Sequence, residues 1–194
     1  MRTCTKAAAV DNDFVNHLVD CKLKDEELLA TIATILSDLK LSTVMHPLVY
    51  EKELILKNAR VDLLFERQII YKTEFSEILQ SDHGRNDYYT YLVGFLYEKL
   101  MGKPFPVDGN DVLTYWKYGE NLGEIHSVSM CAVCGYGIFL SDDGHSKHLQ
   151  KILKDNTTNS IEVYNRQELV EKHLQEGENT IPRDKRRKII HSLN

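Results

Sequence analysis

A three-layer α/β/α fold, with a short parallel sheet covered by helices on both faces, is predicted by three features of the sequence. Short apolar strand candidates alternate with longer stretches of helical periodicity, which is the pattern of parallel sheets with helical crossovers. Crossovers of this kind are expected to be right-handed. Two strand candidates run directly into acidic residues, Val10 into Asp11 and Leu140 into Ser141, Asp142 and Asp143. No internal repeat or low-complexity segment competes with this reading.

Taken in order, Lys6 to Val10 is a short apolar strand, although alanine is a poor strand former. Residues 25–39 place Leu28, Leu29, Ile32, Ile35, Leu36 and Leu39 at helical spacing behind Asp25 as a cap. Leu41 to Met45 is a second strand, and Pro47 suits the first turn of a helix running through Glu51, Glu53, Leu54 and Ile55. Val61 to Gln80 and Tyr88 to Met101 read as a helical hairpin about the polar turn Ser81 to Asn86. The hairpin is expected as an insertion covering about 60–118, which includes the irregular KPFPVDG connection of Gly102 to Gly109. Asn121 to Cys134 is a helix closed by Gly135, followed by a buried strand over Ile138 to Ser141 and a turn at Asp142, Asp143 and Gly144. Residues 145–154 form a helix with Leu149, Ile152 and Leu153 inward, and Ile161 to Tyr164 forms a strand. Asn165 with Glu168 three residues on then marks the start of a helix through Val170 and Leu174.

At 194 residues the chain fits one domain, since a second core would be cramped. An apolar share of 42% with 27% charged residues is that of an ordinary soluble protein, which sets disordered and membrane classes aside. No apolar run reaches the roughly eighteen residues of a membrane span, and MRTCTKAAAVDND lacks an apolar stretch of signal-peptide length. No membrane association and a cytoplasmic location are therefore expected, with Cys4, Cys21, Cys131 and Cys134 as reduced thiols. The net charge is −5, yet residues 183–188 read RDKRRK, so an acidic body of residues 1–175 precedes a basic tail over 176–194.

In an open parallel sheet, ligands bind beyond the carboxyl ends of the strands, so acids that follow strands carry more weight than acids elsewhere. Asp11 and Asp13 leave the first strand, and Asp142 and Asp143 leave the strand near residue 139. Adjacent carboxylates repel unless a cation or protons offset their charge, which makes both groups candidates for Mg²⁺ or Mn²⁺.

The segment AAAVDNDFVNHL resembles the opening of the PIN-domain family: an apolar strand, an Asp, one residue, Asn or Asp, then an apolar helix. Asp13 stands where the family more often has Asn. LGEIHSVSMCAVCGYGIFLSDD is similar to one branch of that family, in which a Gly-Glu pair opens an apolar helix ahead of a glycine turn, a strand and an Asp pair. HPLVYEKELI supplies the helix acid expected after the second strand, with Glu53 the first choice and Glu51 the second. The resemblance covers about residues 5–58 and 119–165. It implies a PIN-like fold and a metal-dependent endoribonuclease with Asp11, Glu53, Glu124 and Asp143 as catalytic acids. Asp13, Glu51 and Asp142 are further candidate ligands, and water is the nucleophile. Bacterial toxins of toxin/antitoxin pairs belong to this family, so an antitoxin-like partner and a homo-oligomer are among its implications. The implied substrate is single-stranded or looped RNA, with Arg183, Lys185, Arg186, Arg187 and Lys188 on its phosphates.

Blander roles compete at each position. Asp11 and Asp13 suit a helix cap, Glu124 is spaced from Asn121 as a capping-box acid, and Asp142 and Asp143 suit a turn. Glu51 and Glu53 suit a solvated helix face, and Tyr88, Tyr89, Tyr91 and Tyr97 suit packing of the hairpin or a partner chain rather than base stacking. Cys131-Ala-Val-Cys134 matches half of a zinc site, but the chain offers no second CxxC pair. A PIN-like interaction module without catalysis is the alternative function, and a zinc-binding protein a third.

Overall fold

A computed structural model describes residues 6–54, 59–176 and 181–191. Its centre is a five-stranded parallel sheet in the order β3-β2-β1-β4-β5. The strands are β1 (Lys6–Val10), β2 (Leu41–Met45), β3 (Ile70–Lys72), β4 (Ile138–Leu140) and β5 (Glu162–Tyr164). The alternation of strands with helices therefore yields the expected three-layer architecture. Among the described residues no helix is long and apolar enough to cross a membrane.

The two faces of the sheet follow from the period of two along each strand. Ala8 and Val10 point into one core, with Ile138 and Leu140 beside them, while Ala9 and Phe139 point into the other. The first face is covered by α1 (Asn12–Val19), α2 (Asp25–Asp38), α4 (Ala59–Glu66), α9 (Arg166–Glu176) and α10 (Arg183–Ile190). The second is covered by α5 (Phe75–Ser81), α6 (His83–Met101), α7 (Leu122–Cys134) and α8 (Gly144–Asn156). Between β2 and α4, the short helix α3 (Pro47–Lys52) packs against α7.

The alanines of β1 have a packing reason. Central in the sheet, β1 is hydrogen-bonded on both edges, so neighbours override its poor propensity, and its small side chains let α7 lie close. Helix α7 is buried from Leu122 through Cys131, enclosed between the sheet and its neighbouring helices. Gly135 closes it at φ 70°, a left-handed conformation that costs glycine no Cβ clash.

Two boundaries differ from the sequence reading. The periodicity of Val61 to Gln80 is broken by β3, so the segment expected as a helical hairpin insertion supplies an edge strand as well as the α5 and α6 pair. Gln68, at φ 55°, takes the left-handed conformation that Gly or Asn would have advertised. Helix α6 begins at His83, inside the expected turn, because the Asp82 carboxylate accepts from the Arg85 N–H and caps it. Asp25 likewise lies inside α2 and pairs with Arg60 at 2.8 Å instead of capping. By contrast, the Asn165 and Glu168 side chains each accept from the other's backbone N–H, at 2.9 and 3.0 Å, a complete capping box at the head of α9.

The basic segment expected as a tail contains α10, held to the first core through Ile181 and Ile189. Cys4, Ile55 at the end of the expected second-strand helix, and parts of the 1–175 and 176–194 segments (1–5, 55–58, 177–180 and 192–194) lie outside the described residues.

Candidate metal centre

The sheet's strand order reverses between β1 and β4, the position at which open α/β sheets form their ligand crevice. The register also aligns the strand ends: Val10 pairs with Met45 on one side and Leu140 on the other, and Leu140 with Tyr164. One step beyond lie His46, Asp11, Ser141 and Asn165, a row along the carboxyl edge of the sheet. The Asp11 N–H donates to the Leu140 carbonyl at 2.9 Å, which extends the ladder by one bond across the reversal point.

Asp11 is buried at 2% exposure and occupies the N-cap position of α1, but its side chain makes no capping hydrogen bond. Oδ2 instead accepts from the Ser141 hydroxyl at 3.2 Å, and Ser141 in turn accepts from the Asp143 N–H at 3.2 Å and the Ser146 hydroxyl at 2.8 Å. Burial, followed by repulsion from Glu124 and Glu53, pushes the Asp11 carboxyl well above its ordinary range.

Glu53 ends α3 and reaches α7, where a Cβ on Gly123 would come within 2.7 Å of its Oε1. Burial and the charge of Glu124, then that of Asp13, raise its pKa to about 8. Glu124 sits in the first turn of α7, and Asn121 offers it no capping box, since Asn121 is left-handed and makes no side-chain cap bond. Burial and the neighbouring Asp143 and Asp13 raise Glu124 to about 7, against the lowering effects of a backbone N–H and of His145. Asp13 is raised chiefly by burial, with His17 pulling it down and Asp143 and Asp142 pushing it up.

Asp143 keeps the turn role, since its Oδ1 accepts from the His145 N–H at 2.6 Å and lies 2.9 Å from His145 Nδ1. Its charge also raises the pKa of Glu124 and of Asp13. Asp11, Asp13, Glu53, Glu124 and Asp143 thus share one electrostatic neighbourhood, although they come from the β1 to α1 junction, α3, α7 and the β4 to α8 junction.

Two expected ligands stand apart. Asp142 is taken by Arg166, whose backbone N–H donates to Oδ1 at 2.9 Å and whose Nε donates to Oδ2, and by His17 Nδ1 at 2.8 Å. Arg166 also donates to the carbonyls of His17 and Ile189, at 2.9 and 3.2 Å, so Asp142 anchors α1, α9 and α10, while its charge still reaches Asp13. Glu51 is exposed and borders a separate cavity with His46, Pro47, Phe75 and Tyr89. On α10, Arg183 and Arg187 are exposed, Lys185 reaches Glu27 at 3.5 Å, and Arg186 and Lys188 are half-buried.

Family models, curated proteins and solved structures show no match to the chain.

The donor set suits a small hard cation, being all carboxylate and raised first by burial and then by a mutual repulsion that a divalent ion would offset. Among the described residues no three His, Cys, Asp or Glu side chains stand in a ligand arrangement. Cys131 is buried with its Sγ directed at the Ile138 carbonyl 3.7 Å away, where it packs as a small apolar group.

Ser141, His145, His17 and Arg166 were missed in the sequence. Ser141 alone carried a usable signal, because it follows β4 directly, as Asp11 follows β1.

Proposed function

We propose that this chain is a metal-dependent phosphodiesterase that cleaves RNA, a ribonuclease of the PIN type. One observation carries the reading: carboxylates far apart in sequence are buried around the point where the sheet order reverses, near enough that their charges help raise one another's pKa. Asp11, Glu53, Glu124 and Asp143 would hold Mg²⁺ or Mn²⁺, with Asp13 beside them. A divalent ion bound there supplies a water of lowered pKa and charge stabilisation at a phosphodiester. Ser141 fixes the orientation of Asp11 and ties it to the backbone of Asp143. Gly123 leaves room for the Glu53 carboxylate beside Glu124. Arg183 and Arg187 present exposed positive charge on the side of the sheet that bears α1, where phosphates beyond the scissile one would run.

Mn²⁺ titration with a mixed single-stranded RNA substrate tests the proposal. Cleavage that requires Mn²⁺ and is abolished in Asp11→Asn is the expected result. Metal binding with no cleavage by the wild-type protein would instead identify a PIN-like interaction module.

A further inference from the structure

A second set of buried polar side chains lies directly behind the acids. His46 occupies the row of Asp11 and Ser141 and caps α3, its Nδ1 accepting from the Leu48 N–H at 3.2 Å. That bond fixes the tautomer of a neutral ring, so the proton sits on Nε2 and is donated to Tyr89 Oη at 2.9 Å. Tyr89 then gives its own proton to His126 Nδ1 at 2.6 Å. His46, Tyr89 and His126 are all 2% exposed or less, and Phe75 closes the group edge-on against His46 and Tyr89. Burial holds both imidazoles neutral, His46 well below its usual range and His126 at about 4. The chain of donors thus runs one way, from α3 through α6 to α7.

We infer that Tyr89, through the two imidazoles it joins, positions α3 against α7 so that Glu53 and Glu124 meet at the metal centre. The inference rests on the metal reading above. His46 caps the helix that ends in Glu53, and His126 follows Glu124 by two residues on α7. The contact between the two helices is where Glu53 abuts Gly123. Stability is a poor explanation for this chain. Three buried polar side chains must each be satisfied here, a demand that well-packed apolar side chains would not make. What a fully directed chain supplies is a fixed geometry between two helices. Outer groups that orient metal-binding side chains typically change affinity by 10- to 100-fold when removed.

Mn²⁺ affinity, measured by calorimetry at a temperature where circular dichroism shows each protein folded, tests the role. Tyr89→Phe and His126→Leu should each weaken binding by about tenfold. The double variant should bind no more weakly than either single one, because both changes break the same chain. His126→Asn, whose side-chain oxygen can still accept from Tyr89, should stay within about twofold of the wild type. A lower melting temperature with unchanged Mn²⁺ affinity in Tyr89→Phe overturns the inference and leaves the metal reading intact. If Tyr89→Phe does not fold, His126→Leu against His126→Asn decides in the same way. A wild-type protein that binds no Mn²⁺ overturns the metal reading and this inference together.

Discussion

The carboxylate of Glu53 occupies the space that a side chain at residue 123 would fill, its Oε1 lying 2.7 Å from where a Cβ of Gly123 would stand. The three atoms nearest that position all belong to the flexible end of the Glu53 side chain, and Gly123 has ordinary helical backbone geometry. Gly123→Ala should therefore fold, gaining about 1 kcal/mol of helix propensity against the strain of moving one flexible side chain. The displaced carboxylate is the loss that matters. Mn²⁺ affinity should fall by about tenfold while the melting temperature stays within a few degrees, measured by calorimetry and thermal denaturation.

The raised pKa of Glu53 sets a sign for the dependence of stability on pH. With a folded value of about 8 against an ordinary 4.5, the folded protein binds more protons than the unfolded chain between those values. Stability linked to this group is thus greatest below pH 4.5 and is lost as pH rises to 8. Glu53→Gln removes that loss, so the variant should be more stable than the wild type at pH 8.5 by roughly 2 kcal/mol, after discounting for partial solvation. The gain should shrink toward zero at pH 4.5, and chemical denaturation at the two pH values reads the difference. Mn²⁺ should bind the wild type more tightly as pH rises through the same window, because the ligands must lose their protons first.

Adjacent acids in the same turn should respond in opposite ways. Asp142 ties Arg166 and His17 together through an ion pair with the first and a hydrogen bond with the second, and the Asp142 and Arg166 side chains are only 10% and 12% exposed. Breaking such a buried pair takes a carboxylate away from a buried guanidinium, so Asp142→Asn should cost about 2–4 kcal/mol while Mn²⁺ affinity survives. Asp11→Asn should do the reverse, keeping or raising stability by removing a buried repelled charge, and losing the metal. If both variants lose metal equally, Asp142 belongs to the ligand set after all.

These contrasts mark what the sequence could convey. The alternation of strands and helices was legible because each long periodic segment buries a full face, as α2 and α8 do. Strand β3 was not, since its three residues are absorbed into the helical periodicity of Val61 to Gln80, and Gln68 makes its turn without a glycine. Asp11, Glu124 and Asp143 could be named from strand ends and the Gly-Glu pair. Their proximity needed the parallel register, which aligns Val10 with Leu140. Two pairs of the form Asn-x-x-Glu looked alike, yet Asn165 with Glu168 caps a helix while Asn121 with Glu124 does not. What separates them is tertiary: Glu124 is enclosed among other acids, and Glu168 is at the surface beside Lys147. The Arg166 hub was illegible because its partners, His17, Asp142 and Ile189, come from three distant parts of the chain.

On α10, the charges divide into engaged and open groups, and RNA affinity should depend on the open ones. Lys185 faces Glu27, whereas Arg183 and Arg187 are exposed. Each phosphate contact on a single strand contributes about 0.7 to the slope of log affinity against log salt. Arg183→Gln with Arg187→Gln should therefore reduce that slope by about 1.4, and Lys185→Gln by much less. Mn²⁺ affinity should be unaffected in both, because the helix is anchored through Ile181 and Ile189 rather than through these side chains. RNA binding titrated from low to high salt makes the comparison. An unchanged slope in the double variant would remove α10 from the substrate path and leave the carboxylate crevice to bind RNA without it.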